Sequence, residues 1–243
     1  MRIPRIYLPS QLILGQSIEL TDHAFQHAIK VLRLKQNAKL ILFNGEGVEV
    51  SAAVETINKK NASVIITEEL HSTPESNLSI HLALGISKGE RMDFAIQKAV
   101  ELGVTEITPL FTEHCVVNLD EKRTQKRLQH WHGIIVSACE QSGRNVLPIL
   151  NTTNTLMKWA DSINDLSLIF DPLATNSLKT ITPVENKINL VIGPEGGLSS
   201  TEISELDKRS NFQAVKFGPR VLRTETAAVS AITAAQLLWG DLL

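Results

Sequence analysis

Hydrophobic and polar positions alternate in short runs over the first seventy residues, which is the pattern of half-buried β-strands. The predicted strands cover residues 5–8, 17–20, 39–43, 48–56 and 63–68. Asn44-Gly45-Glu46-Gly47 separates two of them and is typical of a hairpin turn. One helix is predicted after Thr21 or Asp22 as N-cap, because apolar residues then recur at helical spacing. Short strands with one helix predict a small barrel.

From residue 78 the pattern changes to apolar strands that alternate with amphipathic helices. Strands are predicted at residues 78–84, 107–111, 168–170, 188–192 and 214–217, and helices at 90–102, 121–142, 199–208 and 225–239. This alternation predicts a mostly parallel sheet covered by helices. The polar segment 71–77, which contains Pro74, is the predicted linker. We therefore expect domains at residues 1–72 and 73–243.

Composition places the chain among globular proteins. Its 243 residues are 43% hydrophobic and carry a formal net charge of −2, which excludes disordered and collagen-like chains. No apolar run is long enough to span a membrane, and residues 1–9 lack the apolar core of a secretory signal, so a cytoplasmic protein is expected.

The cysteines and histidines of the sequence indicate neither a disulfide framework nor a metal site. Two cysteines are too few for a disulfide framework, and Cys139, in an apolar helical stretch, is expected to be buried. His23 and His27 are one helical turn apart, but no third ligand accompanies them, so no metal site is expected.

Residues 190–199, Leu-Val-Ile-Gly-Pro-Glu-Gly-Gly-Leu-Ser, carry the strongest chemical signal. An apolar strand enters a glycine-rich turn, and Ser199 or Ser200 then caps a helix. Glycines let the backbone take positive φ angles and approach a ligand, and the carboxyl end of a parallel strand is where ligands bind. The turn matches no known phosphate loop. Glu195 would repel phosphate, so a ligand with a neutral or cationic head is expected.

Residues 217–228, Phe-Gly-Pro-Arg-Val-Leu-Arg-Thr-Glu-Thr-Ala-Ala, repeat this arrangement. Thr224 is the predicted N-cap, and Glu225 suits the first helical turn through the helix dipole. Arg220 and Arg223 lie in the loop, where a ligand contact explains them better than structure does. The alanines that follow form a small-residue face, for which core packing and self-association both stay open.

Segments 192–198 and 222–227 resemble the SPOUT methyltransferases and, more narrowly, the RsmE family, which methylates N3 of a uridine in 16S ribosomal RNA. The resemblance covers the whole chain through motifs at residues 1–7, 27–33, 88–93, 97–103 and 138–144. It implies an α/β fold, with a SPOUT trefoil-knot methyltransferase domain preceded by a small PUA-like β-barrel that binds RNA. It also implies that the knot loops bind S-adenosylmethionine and that a homodimer completes the site.

The resemblance also implies roles for individual residues. Cofactor binding is expected from Ile192, Gly193, Pro194, Glu195, Gly196, Gly197, Phe217, Gly218, Leu222, Arg223 and Thr224. RNA binding is expected from Arg5, Lys30, Arg33, Lys88, Arg91, Arg144 and Arg220. Arg223 is the expected catalytic cation, because a guanidinium stays protonated and can stabilise a uridine anion. Glu195 and Glu225 are the two candidates for the base, and the sequence does not choose between them.

The function expected from the sequence is therefore methylation of a 16S ribosomal RNA uridine during ribosome maturation. The substrate is either free 16S rRNA or the 30S subunit, and the sequence does not decide which. Two other functions stay open at this point. One is a non-catalytic RNA-binding or ribosome-assembly factor that keeps the scaffold. The other is a small-molecule binder that uses the turn at residues 193–197.

Overall fold

Two compact units make up the protein. The computed structural model describes residues 3–71, 75–117, 120–183 and 185–242. Unit 1 contains the residues up to Glu75 together with Val136–Leu147, and unit 2 contains Ser76–Ile135 and the chain from Pro148 onwards. The boundary expected between residues 72 and 73 lies outside the described residues and stays a prediction. The sequence did not predict that residues 136–147 belong to unit 1.

Unit 1 is built on a five-stranded sheet with the order β1-β3-β4-β5-β2. Its strands are β1 (Arg5–Tyr7), β2 (Ser17–Glu19), β3 (Lys39–Phe43), β4 (Glu49–Ile57) and β5 (Ala62–Glu69). The predicted hairpin is confirmed, since β3 and β4 pair antiparallel and the Asn44 side chain accepts hydrogen bonds from the N–H groups of Glu46 and Val48. Alternate strand residues point inward and form the core of the unit, as the period-two pattern requires.

The predicted helix of unit 1 is present, but most of it has a different winding. α1 (Asp22–Phe25) is capped by Thr21, whose hydroxyl accepts from the Ala24 N–H. The chain continues as a π-helical turn, Gln26–Val31. Arg33 then takes a left-handed backbone conformation with φ of +55°. Apolar spacing alone cannot distinguish this wider turn from an α-helix, because both bury one face.

The last turns of the long helix α3 (Glu121–Ser142) belong to unit 1. The buried carboxylate of Glu140 accepts a hydrogen bond from the Tyr7 N–H at 3.0 Å and lies 2.9 Å from Nδ1 of His27. Cys139 is buried as predicted, and this burial raises the pKa of its thiol to about 11. The helix therefore contributes to both units.

Unit 2 contains seven strands, and every pairing among them is parallel. The strand order is β12-β10-β11-β6-β7-β8, with β9 also paired to β7. The strands are β6 (Ser79–Gly85), β7 (Glu106–Phe111), β8 (Ile149–Leu150), β9 (Asn154–Thr155), β10 (Ser167–Phe170), β11 (Lys187–Ile192) and β12 (Phe212–Val215). The parallel sheet confirms the prediction from strand–helix alternation.

The helices of unit 2, besides the first part of α3, are α2 (Glu90–Glu101), α4 (Leu156–Asp161), α5 (Ser200–Asp207) and α6 (Thr224–Trp239), with a 3₁₀ turn at Leu178–Thr180. β8, β9 and α4 are not predicted from the sequence, because each has six residues or fewer and repeats its pattern too few times to be recognised. Within the described ranges, no helix has the length and apolar character needed to cross a bilayer.

Candidate functional site

Loops that follow three adjacent strands line one cavity of about 600 Å³ in unit 2. β12, β10 and β11 are consecutive in the sheet and parallel, so their carboxyl ends share one edge. The loop after β12 supplies residues 217–218 and 220–223, the loop after β10 supplies 171–173, and the loop after β11 supplies 193–198. This edge is where open parallel sheets bind ligands, and the volume suits a small-molecule site of about 300–1,000 Å³.

Each residue that the sequence analysis expects to bind the cofactor lines this cavity. They are Ile192, Gly193, Pro194, Glu195, Gly196, Gly197, Phe217, Gly218, Leu222, Arg223 and Thr224. Glu225, the second candidate base, also lines it. The structure therefore brings together the two glycine-containing segments that are about twenty residues apart in the sequence.

The third loop of the cavity was missed by the sequence analysis. Phe170, the last residue of β10, and the following Asp171, Pro172 and Leu173 line the cavity, and β10 lies between the other two strands. A usable signal was present, since the predicted strand at 168–170 ends in Asp-Pro and parallel strands end at one edge. Without glycines, this loop showed no sign of close approach to a ligand.

The loop after β11 is packed too closely to accept side chains. A Cβ on Gly193 would lie 2.8 Å from the backbone carbon of Gly197, and a Cβ on Gly85 would lie 2.5 Å from the Pro194 ring. Gly197 has a φ of +70°, a conformation that favours glycine. The loop therefore presents backbone groups to the cavity in a single fixed shape.

Glu195 fastens this loop to the start of α2. Its carboxylate accepts from the Lys88 N–H at 2.9 Å and from the Arg91 guanidinium at 3.1 Å. Partial burial alone would raise the pKa of Glu195. The backbone N–H groups of Lys88 and of Glu195 itself, together with Arg91, outweigh that effect and hold this pKa below its usual range. A carboxylate so engaged is a weak proton acceptor, so the geometry favours a positioning role for Glu195.

A second carboxylate holds the other end of the same loop. Ser199 caps α5, as predicted, and Glu202 completes the capping box by accepting from the Ser199 N–H at 2.9 Å. The other oxygen of Glu202 accepts from the Glu113 N–H at 2.8 Å. His114 Nδ1 lies 3.0 Å from the Gly196 carbonyl oxygen. These contacts preorganise the loop before any ligand arrives.

The predicted capping role of Thr224 is wrong. The N-cap of α6 is Arg223, whose backbone is extended and whose side chain makes no capping hydrogen bond, while Thr224 is buried as the first helical residue. The Arg223 guanidinium is therefore not used by the helix. Arg223 and Arg220 both line the cavity, and no described residue gives either side chain a hydrogen bond or ion pair.

Glu225 lies in the first turn of α6 and keeps one oxygen uncommitted. Its Oε2 is buried and has no hydrogen-bond partner among the described residues. Buried polar atoms are nearly always paired, so this oxygen at the cavity wall is available to accept from a ligand or substrate group. Of the two candidate bases, Glu225 has the available acceptor.

Two of the expected RNA contacts are engaged in buried ion pairs of unit 1. Arg5 pairs with Glu49 at 2.6 Å, and its side chain is only 9% exposed. Arg144 pairs with Glu75 at 2.6 Å and is 11% exposed. The structure thus gives both guanidiniums a structural task rather than an open surface for phosphate.

The other expected RNA contacts are exposed. Lys30 and Arg33 lie on the surface of unit 1, and Lys88 and Arg91 lie at the start of α2 in unit 2. Arg91 lines the cavity together with Arg220. In the part of the chain that the structure describes, no group of three His, Cys, Asp or Glu side chains is placed to hold a metal ion.

Family models match most of the chain. A model described as an RNA methyltransferase domain matches residues 74–236, and one described as an RNA methyltransferase PUA domain matches residues 20–67. A curated relative from Buchnera aphidicola subsp. Schizaphis graminum, "Ribosomal RNA small subunit methyltransferase E", is 40% identical, and the alignment covers 99% of this chain and 98% of the relative.

Solved structures agree with these matches. A methyltransferase from Legionella pneumophila, in complex with the bound cofactor SAM, shares 42% identity with a TM-score of 0.96 over 100% of both chains. A ribosomal RNA small subunit methyltransferase E from Neisseria gonorrhoeae, bound to S-adenosyl methionine, shares 40% identity with a TM-score of 0.92, again over 100% of both chains.

Proposed function

The chain belongs to the RsmE family of S-adenosylmethionine-dependent RNA methyltransferases, and from this premise we propose that it methylates N3 of one uridine in 16S ribosomal RNA. The names of the relatives support a small-subunit ribosomal RNA as substrate. The observation that carries the proposal is the cavity itself. Two glycine loops there lie beside the Arg223 guanidinium and the Glu225 carboxylate oxygen Oε2, neither of which has a partner among the described residues.

The residues at the cavity fit S-adenosylmethionine. A ligand that is held mainly by backbone groups needs loops without side chains, and a Cβ on Gly193 would collide with the loop itself. The N–H and C=O groups of residues 193–198 and 217–222 would hold the adenine and the amino-acid end. The absence of a phosphate-loop pattern agrees with a ligand that carries no phosphate.

The side chains of Glu225 and Arg223 supply the chemistry of methyl transfer. When bound, S-adenosylmethionine supplies a methyl group on a positively charged sulfur. The bond from this methyl to uridine N3 forms as the carbon–sulfur bond breaks, and the N3 proton leaves to the Glu225 carboxylate. Arg223 stabilises the negative charge on the uracil ring. Charge is neutralised in this step, so a cavity that excludes water favours it.

We extend the proposal to the features that family membership implies. The C-terminal chain threads a trefoil knot, residues 73–243 form the SPOUT domain, and a homodimer completes the site. α6 supports self-association, because Leu237 and Leu238 near its end are about half exposed. The enzyme acts in the cytoplasm during ribosome maturation, on 16S rRNA or on the 30S subunit.

Mass mapping of 16S rRNA from cells that lack this protein tests the substrate. We expect one uridine to lose a methyl group and the wild-type gene to restore it. An unchanged methylation pattern would contradict the enzymatic function and favour a non-catalytic assembly factor. Loss of a methyl from a ribose, or from another base atom, would overturn the N3 assignment.

The Glu225→Gln variant tests the proposed base. Removal of a general base slows a reaction by about 10²- to 10⁴-fold, so we expect turnover to fall by at least 100-fold while the Kd for the donor changes less than threefold. Glu205→Gln, on the exposed face of α5, is the matched control. A turnover within fivefold of wild type would assign proton removal to another group or to water.

A further inference from the structure

The π-helical turn of unit 1 lies in a strongly basic part of the sequence. Residues 23–45 contain no Asp or Glu, although the chain as a whole carries a net charge of −2. The Lys and Arg residues of this stretch are Lys30, Arg33, Lys35 and Lys39, and all are exposed. We refer to residues 26–35 as the basic turn. Its charge suits a polyanion such as the phosphate backbone of RNA.

Two apolar side chains stand among these cations. Val31 is 68% exposed and Leu32 is 40% exposed. A single exposed apolar residue needs no explanation, but two consecutive ones flanked by Lys30 and Arg33 form a small apolar knob with a cationic rim. Such a surface combines contact with an apolar ring face and contact with phosphate oxygens.

Arg33 occupies a backbone position that favours glycine. It follows the end of the π-helical turn with a φ of +55°, where glycine is the usual residue. Arginine is strained in this conformation and, in addition, the structure gives its side chain no partner among the described residues. Strained backbone of this kind clusters at functional sites.

Contacts on the inner side of the basic turn hold it in place. Nδ1 of His27, on the inner side, lies 2.9 Å from the carboxylate of Glu140. Lys30 Nζ lies 5.2 Å from the centre of the Phe25 ring, which directs this cation along the surface. The backbone of the turn is therefore held in place, so that the ordering entropy lost on binding is mainly that of the exposed side chains.

We propose that the basic turn binds an unpaired nucleotide of the substrate RNA, with the base against Val31 and Leu32 and the adjoining phosphate on Arg33. This proposal rests on the proposed function and extends it from general RNA binding to one recognition element. Bases paired in an A-form helix are stacked, and its major groove is too narrow for side chains. An apolar knob therefore gains a contact only from a base that is unpaired.

Arg33→Gly separates binding from folding. We expect this variant to melt at the wild-type temperature or above it, because the backbone strain is relieved, and to bind naked 16S rRNA about tenfold more weakly. The slope of log K against log salt should fall by about one, as for loss of one phosphate contact. Lys59→Gly, at the exposed turn between β4 and β5, removes the same charge and should change RNA affinity less than twofold.

Val31→Thr tests the apolar knob with nearly unchanged shape. The wild-type protein should bind an RNA hairpin with a uridine-rich loop more tightly than a fully paired duplex of equal length, and the variant should lose most of that preference. Val48→Thr, which changes another exposed valine of unit 1, should keep it.

The outcomes separate this proposal from the proposed function. If wild-type protein neither binds nor methylates 16S rRNA, whether naked or within 30S subunits, the proposed function fails. If the wild type methylates and Arg33→Gly or Val31→Thr binds RNA as the wild type does, the basic turn is not the recognition element. If Arg33→Gly weakens binding to 30S subunits but not to naked rRNA, and cross-linking joins the turn to a ribosomal protein and not to rRNA, the RNA assignment is overturned.

Discussion

Single residues of the catalytic cavity have separable tasks. Gly193 shapes the loop, Glu195 fastens it, and Arg223 lines the cavity without a hydrogen-bond or ion-pair partner among the described residues. Because each residue makes different contacts, we expect substitutions at these residues to affect donor binding and turnover in different proportions.

Gly193→Ala should remove donor binding. The new Cβ would lie 2.8 Å from a backbone carbon of Gly197, and backbone has no alternative rotamer, so the loop must change shape. We expect calorimetry to show a Kd for S-adenosylmethionine raised at least tenfold. Gly133→Ala, where the Cβ meets nothing within 4 Å, is the control and should stabilise α3 by up to about 1 kcal/mol. Wild-type affinity in Gly193→Ala would show that the loop does not hold the donor.

Arg223→Ala should reduce turnover far more than donor binding. Its guanidinium has no structural partner among the described residues, so its loss leaves the loop intact while the uridine anion loses its counter-charge. We expect kcat to fall about 100-fold or more and the donor Kd to change less than threefold. Equal losses in both quantities, measured by single-turnover kinetics and calorimetry, would assign Arg223 to donor binding instead.

The residue types of the site could largely be predicted from the sequence. Which of their side chains are hydrogen-bonded or ion-paired, and which are not, could not. Gly193 and Arg223 belong to recognisable segments. Glu195 is hydrogen-bonded and Arg5 is paired with Glu49, and in both cases the partner comes from a distant segment. Whether an oxygen of Glu225 stays unpaired also depends on which distant segments pack around it. No local pattern carries that information, because these contacts form only when the chain folds.

At the scale of elements, helix α5 stabilises the glycine loop through its cap. Glu202 accepts from two backbone N–H groups, those of Ser199 and Glu113, and is itself buried. Glu202→Ala leaves both donors without a partner.

We expect Glu202→Ala to lower the free energy of unfolding by about 1–3 kcal/mol, measured by urea denaturation, and to weaken donor binding. Glu205→Ala removes an exposed carboxylate from the same helix and should change stability little. If the two variants are equally stable, the capping box has no role in holding the loop.

Long elements were predicted well, while short or irregular ones were not. The bounds of α3 and β3 agree with the periodicity, since many residues repeat one pattern. β8 and β9 have two residues each and are defined only by their pairing with β7. The π-helical turn was read as an ordinary helix for the same reason: its winding depends on tertiary packing, not on spacing.

At the scale of the whole molecule, a buried histidine makes stability depend on pH. His81 lies within the sheet of unit 2, where Nε2 is 2.7 Å from the Thr108 hydroxyl. Burial lowers the pKa of His81 below its ordinary value of 6.5, although Glu106 and Asn189 act in the opposite direction. The folded state therefore holds His81 neutral at a pH where the unfolded chain already binds a proton.

This difference gives the sign of the pH dependence. As pH falls below about 6.5, the unfolded state binds more protons and the free energy of unfolding decreases, by about 1.4 kcal/mol for each unit of lowered pKa. Between pH 7 and 5, the free energy of unfolding measured by denaturation should decrease less steeply for His81→Gln than for the wild type. His132→Gln, on the exposed face of α3, should follow the wild type; identical slopes for all three would remove His81 as the cause.

The division of α3 between the two units limits how this enzyme can be recombined with its relatives. Because residues 136–147 belong to unit 1, a chimaera that exchanges only the amino-terminal segment would pack a foreign β-sheet against a native helix end. Glu140 would then face whatever replaces Tyr7 and His27. A graft that carries residues 136–147 together with the rest of unit 1 keeps these partners matched, and is the exchange that tests whether unit 1 determines the choice of RNA.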